Sequence, residues 1–153
     1  MKYIKNFIII ILIMFLCSCN ELVAVDTNKY IDVSKHYNLN IREDAQKELD
    51  NNKYISNLTI SENNKFKSFF YIFNDLQVAI DSFDNEKAVL ETQKNSVIYS
   101  ETKVNLNNFN KYIIDTNDNY YYLIRVDNTL LYIEGKDNYK TEINSFAKEL
   151  GYK

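Results

Sequence analysis

The feature that most constrains the fold of this 153-residue chain is a hairpin pattern in its C-terminal third. Two segments rich in aromatic and β-branched residues, Tyr120–Val126 and Thr129–Glu134, are separated only by Asp127-Asn128. Such segments favour β-strands, and a two-residue connection fixes the register of an antiparallel pair. The pattern therefore predicts that Val126 faces Thr129, with Ile124 opposite Leu131 and Tyr122 opposite Ile133 further along the pair.

Alternation along this hairpin divides its side chains between two faces of a sheet. We assign one face to the core, and it carries Tyr120, Tyr122, Ile124, Val126, Thr129, Leu131 and Ile133. The other face carries Tyr121, Leu123, Arg125, Leu130, Tyr132 and Glu134. Because tyrosine and arginine are enriched in binding hot spots, the first five of these residues are predicted to form an interaction face. The alternative is that a helix or loop covers this face and makes it ordinary core.

Further strands and helices are predicted along the rest of the chain. Strands are expected at 54–60, 66–73, 96–104 and 112–115, and helices at 41–49, 74–90 and 138–150. The segment 30–40 carries only a weak helical pattern. This order of elements is typical of an α+β fold, an antiparallel β-sheet with helices packed on one face.

Two of these helices carry terminal signals. Asn74, with Gln77 three residues later, is expected to cap the start of the long helix, and Gly151 is expected to end the last helix in the left-handed conformation. Asp81, Asp84 and Glu86 on the long helix are predicted to form its solvated face.

The first nineteen residues have a different character. Lys2 and Lys5 precede an uncharged apolar run, which closes with Leu16-Cys17-Ser18-Cys19. The run from Phe7 to Cys17 has eleven residues, too few for a bilayer, which needs about 20, but typical of a signal-peptide core. The segment resembles the signal peptide and lipobox of bacterial lipoproteins. That resemblance implies cleavage after Ser18, a diacylglyceryl group on Cys19, and lipid anchoring at the extracytoplasmic face of the cell membrane.

The chain is thus expected to comprise a lipoprotein signal peptide (1–18), a lipidated tether (19–29) and a single α+β domain (30–153). A second resemblance concerns the C-terminal part of that domain. The motifs Arg125–Thr129, Tyr139-Lys140, Glu142-Ile143 and Leu150–Tyr152 are similar to the C-terminal half of small, uncharacterised lipoproteins of Firmicutes. This likeness implies the same compartment and fold and no particular chemistry.

Composition narrows the classes of partner. After Cys19 the chain carries 16 basic and 21 acidic residues, a net charge of −5. An acidic surface argues against a nucleic-acid partner, whose affinity depends on Lys and Arg, and against a polybasic membrane-docking patch. Because Cys17 and Cys19 both belong to the signal segment, the domain itself is predicted to have no disulfide and to depend on its hydrophobic core.

The sequence has few residues in catalytic or metal-binding patterns. His36 is the single histidine and has no sequence partners at metal-ligand spacing. Asp115 and Asn117–Asn119 offer oxygen ligands for calcium but lack the glycine and terminal glutamate of an EF-hand loop, which favours a simple turn. The two glycines, Gly135 and Gly151, form no phosphate-binding loop. The sequence therefore predicts no cofactor, no metal and no enzymatic activity.

Two functional hypotheses remain open. The first is a non-catalytic binding or interaction module of the cell envelope, which engages an envelope protein, a peptide or a glycan. The second is a small carboxylate-based envelope hydrolase, which would need a concave site with two inward carboxylates away from the acidic helix face.

Overall fold

A computed structural model of the chain describes residues 22–42, 45–49, 52–92, 98–106 and 108–152. These residues form a seven-stranded antiparallel sheet with three α-helices. The predicted signal peptide (1–18) and Cys19, the residue predicted to carry the lipid, lie outside the described residues. The α+β class with an antiparallel sheet is confirmed.

The bounds of the elements follow the chain order. The helices are α1 (Thr27–His36), α2 (Leu76–Thr92) and α3 (Lys140–Leu150), with short 3-10 helices at Ala45–Leu49 and Asp137–Tyr139. The strands are β1 (Asn40–Arg42), β2 (Ile55–Glu62), β3 (Phe66–Phe73), β4 (Ile98–Asn105), β5 (Phe109–Thr116), β6 (Asn119–Val126) and β7 (Thr129–Lys136). Their order across the sheet is β1-β2-β3-β7-β6-β5-β4.

The β6–β7 hairpin has the register that its two-residue turn predicts. Val126 pairs with Thr129 and Ile124 with Leu131, while Asp127 adopts a left-handed conformation with φ of +48°. β7 pairs on its other side with β3, and β6 with β5, so the hairpin lies in the middle of the sheet. Antiparallel sheets commonly leave one face to solvent, but both faces of this hairpin are rich in apolar residues and each packs in an apolar cluster.

The helices are divided between the two faces of the sheet. Helices α1 and α3 share one face, where Tyr30 and Phe146 pack with the inward residues of β6 and β7. The long helix α2 packs on the opposite face, where Ala79, Phe83 and Leu90 join Leu123 and Leu130 in a second apolar cluster. Two helices therefore cover one face of the sheet, and a single helix covers the other. The single helix covers a face of the hairpin that is itself apolar.

The segment between α1 and β2 differs from the predicted helix at 41–49. Asn40–Arg42 form β1, in which Ile41 pairs with Ser61, and Ala45–Leu49 form a short 3-10 helix. Ala45 is fully buried against Leu58 and Ile60. Backbone pairing at the free edge of β2 and burial of a small residue have overridden a local helical spacing.

The predicted tether is folded over most of its length. Helix α1 begins at Thr27 with Asp26 as its cap, whose Oδ1 accepts a hydrogen bond from the Lys29 N–H at 2.8 Å. Val25 is only 5 % exposed, and the Leu22 carbonyl accepts a hydrogen bond from Asn108 Nδ2 at 2.7 Å. The folded domain therefore begins by Leu22, ahead of the expected boundary at residue 30.

Helix α2 is capped by Asp75, one residue later than predicted. The Asp75 Oδ1 accepts from the N–H groups of Gln77 and Val78 at 2.7 and 3.2 Å, whereas Asn74 donates its side-chain amide to the Lys53 carbonyl. An aspartate at this position satisfies two free donors and also complements the helix dipole.

The C-terminal end of α3 is as predicted. Gly151 has φ of +106°, in the left-handed region, and its N–H donates to the Lys148 carbonyl at 3.0 Å. The N–H of Tyr152 donates to the Ala147 carbonyl at 2.9 Å, which satisfies another free carbonyl of the last turn.

Candidate functional site

The predicted interaction face lies largely beneath α2. Leu123, Arg125 and Leu130 are 0 %, 1 % and 4 % exposed. The Arg125 Nε donates to Asn110 Oδ1 at 2.7 Å and its Nη1 donates to the Asp127 carbonyl at 2.8 Å. These three residues cannot form a solvent-facing surface, and Arg125 instead ties the β6–β7 turn to β5. For these three residues the structure supports the alternative that a helix covers the face.

The two remaining residues of that face, Tyr121 and Tyr132, are partly exposed at the edges of cavities. Tyr132 lines an open cleft of about 290 Å³ between α2 and the sheet. We call this the α2–sheet cleft, and its lining residues are Ile55, Tyr71, Phe73, Ser82, Asn85, Glu86, Val89, Leu130 and Tyr132. Its walls combine apolar and aromatic side chains with a few polar groups, as ligand sites commonly do.

Glu86 is the one carboxylate among the described residues that line the α2–sheet cleft. It was predicted to be solvated, yet it is partly buried. Burial raises the pKa of Glu86, and the nearby charge of Glu134 raises it further. Within the described part of the chain no hydrogen bond or ion pair engages this carboxylate, so its negative charge is uncompensated.

Tyr132 connects the cleft to Glu134. Its hydroxyl donates to Glu134 Oε2 at 2.9 Å, and its ring stacks on Phe69 with centroids 5.6 Å apart. Burial and the Glu134 carboxylate raise the pKa of Tyr132 far above its ordinary value. The hydroxyl therefore stays protonated at physiological pH and holds one side of Glu134 in place.

A second cavity of about 260 Å³ lies at the turn between β2 and β3. Its lining residues are Asn63, Asn64, Lys65, Phe66, Lys67, Asn119, Tyr121, Glu134, Gly135 and Lys136. The Lys65 Nζ lies 3.0 Å from the carboxylate of Glu142, and the Lys67 Nζ lies 4.0 Å from Glu62. Two of its three lysines thus already have acidic partners and fasten the turn to its neighbours.

An acidic pair, of which Asp115 is buried and Asp137 is partly exposed, lies outside the lining of both cavities. The Lys140 Nζ is 3.2 Å from Asp115 Oδ2 and 3.3 Å from Asp137 Oδ1. Burial and a hydrogen bond with Asp137 raise the pKa of Asp115, while the same bond lowers the pKa of Asp137. This trio fastens the start of α3 to the end of β5.

The segment considered for calcium is a turn in the structure. Thr116 Oγ1 accepts from the N–H groups of Asp118 and Asn119 at 3.3 and 2.9 Å. Among the described residues there is no group of three or more His, Cys, Asp or Glu side chains that could hold a metal ion.

His36 lines neither of the two cavities. It is exposed at the end of α1, and its Nδ1 lies 2.7 Å from Glu149 Oε1 on α3. This contact joins the two helices of one face, and Glu149 also accepts a hydrogen bond from the Tyr37 side chain.

Sequence reasoning missed the α2 side of the cleft. Ser82, Glu86 and Val89 recur at helical spacing beside the apolar stripe of Ala79 and Phe83, and this was the available signal. The opposite wall depends on the pairing of β3 with β7, which places Tyr71 opposite Leu130. No local pattern gives that pairing, because the two strands are far apart in the sequence.

None of the helices in the described ranges is long and apolar enough to cross a membrane. No protein-family model matches the chain, and no curated protein matches it. Among solved structures, a GTP binding regulator from Thermotoga maritima is similar, with 14% identity and a TM-score of 0.41 over 82% of this chain and 84% of that chain. A likeness at this level carries no functional argument.

Proposed function

We propose that this chain is a lipid-anchored, non-catalytic binding module at the extracytoplasmic face of the cell membrane, with the α2–sheet cleft as its binding site. The observation that carries the binding role is the cleft itself, a concave site with aromatic walls and convergent polar groups. Its volume of about 290 Å³ lies at the small end of ligand pockets, which favours a small molecule or one side chain or sugar unit of a larger envelope partner.

The anchor is supported by the first nineteen residues alone. The test is labelling with a palmitate analogue in a bacterium that makes the chain, followed by recovery of the protein. Cys19→Ser is expected to abolish the label, since a serine offers no thiol for the diacylglyceryl group. The matched variant Cys17→Ser is expected to keep the label. If the parent chain is labelled and the Cys19→Ser variant is labelled equally, the anchor at Cys19 is contradicted.

The binding site is tested by filling the cleft. Val89 is exposed at the rim of the cleft, so Val89→Phe is expected to narrow the cleft with little effect on folding. Val23→Phe places the same substitution at an exposed position that does not line the cleft. Full chain in nanodiscs is screened by ligand-observed NMR against amines, short peptides and sugars. Binding that survives Val89→Phe would place the site elsewhere.

The alternative is a carboxylate-based envelope hydrolase. Acid–base hydrolysis needs two carboxyl groups that face one substrate. Glu86 lines the α2–sheet cleft, whereas Glu134 lines the neighbouring cavity and accepts the Tyr132 hydroxyl. This division favours the binding role. Mass spectrometry of each bound compound after incubation separates the two functions: unchanged compound fits a binding module, and a product that Glu86→Gln abolishes fits the hydrolase.

A further inference from the structure

The lining of the α2–sheet cleft places one uncompensated carboxylate among aromatic rings. From this we infer that the cleft takes a small ammonium cation with an apolar body, whose nitrogen pairs with Glu86 and whose body packs against Tyr71, Phe73 and Leu130. The inference rests on the proposed function, because it names the ligand class for the same cleft.

The first argument is charge. A partly buried carboxylate loses hydration, and here Glu134 adds like-charge repulsion. Two lysines of the described residues near α2 have other partners: the Lys87 Nζ lies 5.8 Å from the ring centre of Tyr112, and the Lys103 Nζ lies 3.6 Å from Glu91. A cationic ligand would supply the missing partner, whereas an anionic ligand would be repelled by Glu86 in the cleft and by the nearby charge of Glu134.

The second argument is the nature of the walls. Tyr71, Phe73 and Tyr132 all line the cleft, and the rings of Tyr71 and Phe73 stack with centroids 5.9 Å apart. Aromatic rings attract cations through the negative potential of their faces and also bury apolar surface. A wall of this kind therefore suits both parts of an amphipathic amine.

The third argument is size. A cavity of about 150 Å³ accommodates benzene, and the α2–sheet cleft is nearly twice that volume. A body of about six carbons with one amino group fits such a space. Ser82 and Asn85 also line the cleft and provide further hydrogen-bonding groups for the ligand.

The test uses three probes that share a six-carbon body: hexylammonium, hexanol and hexanoate. Each is titrated by calorimetry into the full chain in nanodiscs of a neutral phospholipid, so that partition into lipid is common to all variants. Hexylammonium is expected to bind about tenfold more tightly than hexanol, in line with a charge-assisted hydrogen bond. Hexanoate is expected to bind most weakly.

Two variants in α2 test whether Glu86 causes the preference for hexylammonium over hexanol. Glu86→Gln keeps the side-chain shape and is expected to reduce hexylammonium to the affinity of hexanol. Asp81→Asn makes the same change of net charge at an exposed position outside the cleft lining, and it is expected to preserve the preference. Circular dichroism of each variant checks that it is folded.

The remaining outcomes overturn the inference in two distinguishable ways. If hexanol or hexanoate binds as tightly as hexylammonium, and Val89→Phe abolishes that binding, the cleft stands as the site and the cation preference is wrong. If none of the probes binds, or if Glu86→Gln leaves the preference intact, the ammonium site is wrong. If none of the probes binds, the proposed function also loses its support from these ligands.

Discussion

The Tyr30 hydroxyl lies 2.7 Å from the Oγ of Ser61, in the buried interface between α1 and the sheet. The same hydroxyl reaches the Oγ of Ser68 at 3.0 Å, and Ser34 lies 3.2 Å from Ser61. This network satisfies polar groups that would otherwise be buried without partners, and it joins α1 to β2 and β3. Burial raises the pKa of Tyr30, so the phenol stays neutral under ordinary conditions.

Tyr30→Phe is therefore expected to destabilise the fold. The variant leaves two buried serine hydroxyls without their shared partner, at a cost of about 1–3 kcal/mol in the free energy of unfolding. Urea denaturation measures this change. Tyr54→Phe is the control, because Tyr54 is exposed and the expected change is within about 0.5 kcal/mol. Equal stability of the two variants would show that the network contributes nothing.

Gly135 of β7 lies against Ile143 of α3 and Phe66 of β3. A Cβ at this position would lie 2.9 Å from both Ile143 Cδ1 and Phe66 Cβ, closer than packed carbon atoms allow. We expect Gly135→Ala to lower the free energy of unfolding by about 1–3 kcal/mol, as overpacking does. Adding Ile143→Val removes one of the two clashing atoms and is expected to restore part of the loss. The neighbouring exposed Lys136→Ala is expected to have little effect, and a similar loss there would contradict the steric explanation.

The cap of α2 gives a contrast between two adjacent residues. Asp75→Ala removes the acceptor of the Gln77 and Val78 N–H groups and is expected to cost about 1 kcal/mol. Asp75→Asn retains an acceptor and is expected to cost less. Asn74→Ala loses only an exposed bond to the Lys53 carbonyl. Thermal and urea unfolding of the three variants rank them, and a larger loss for Asn74→Ala would contradict the assignment of the cap.

The pH dependence of stability reports on Glu86. Because the pKa of Glu86 is raised above 4.5 in the folded chain, the folded state holds this proton more tightly than the unfolded state. Its contribution to the free energy of unfolding therefore falls as the pH rises from 4.5 through the raised pKa, and stays lower above it. Glu86→Gln is expected to be more stable than the parent chain at neutral pH and to lose that advantage near pH 4. Urea curves at both pH values measure the difference, and a constant difference would contradict the shift.

The elements best predicted from the sequence are those that local rules determine. The turn Asp127-Asn128 sets the register of β6 and β7 without any knowledge of the rest of the sheet. Gly151 marks the end of α3 for an equally local reason, since a left-handed residue without a Cβ is needed there.

The candidate site depends on information that is not local. The apolar stripe of α2 shows that the helix is half buried, but it does not show which face of the sheet it covers. Tyr121 and Tyr132 remain at cavities, whereas Leu123 and Arg125 are covered, and this difference arises from the position of α2 over the sheet. Ile41 shows the same limitation, because its strand forms only through pairing with β2.

The hydrogen bond between Leu22 and Asn108 limits the length of any tether between the folded domain and the bilayer. With a lipid on Cys19, two residues, Asn20 and Glu21, lie between the acylated residue and Leu22, where the described domain begins. Three steps of extended chain at about 3.3–3.6 Å each give a reach of about 10 Å. A domain on so short a tether would stay beside the lipid headgroups and could not move far from the membrane. A partner of the tethered domain would therefore have to come within about one domain width of the membrane surface.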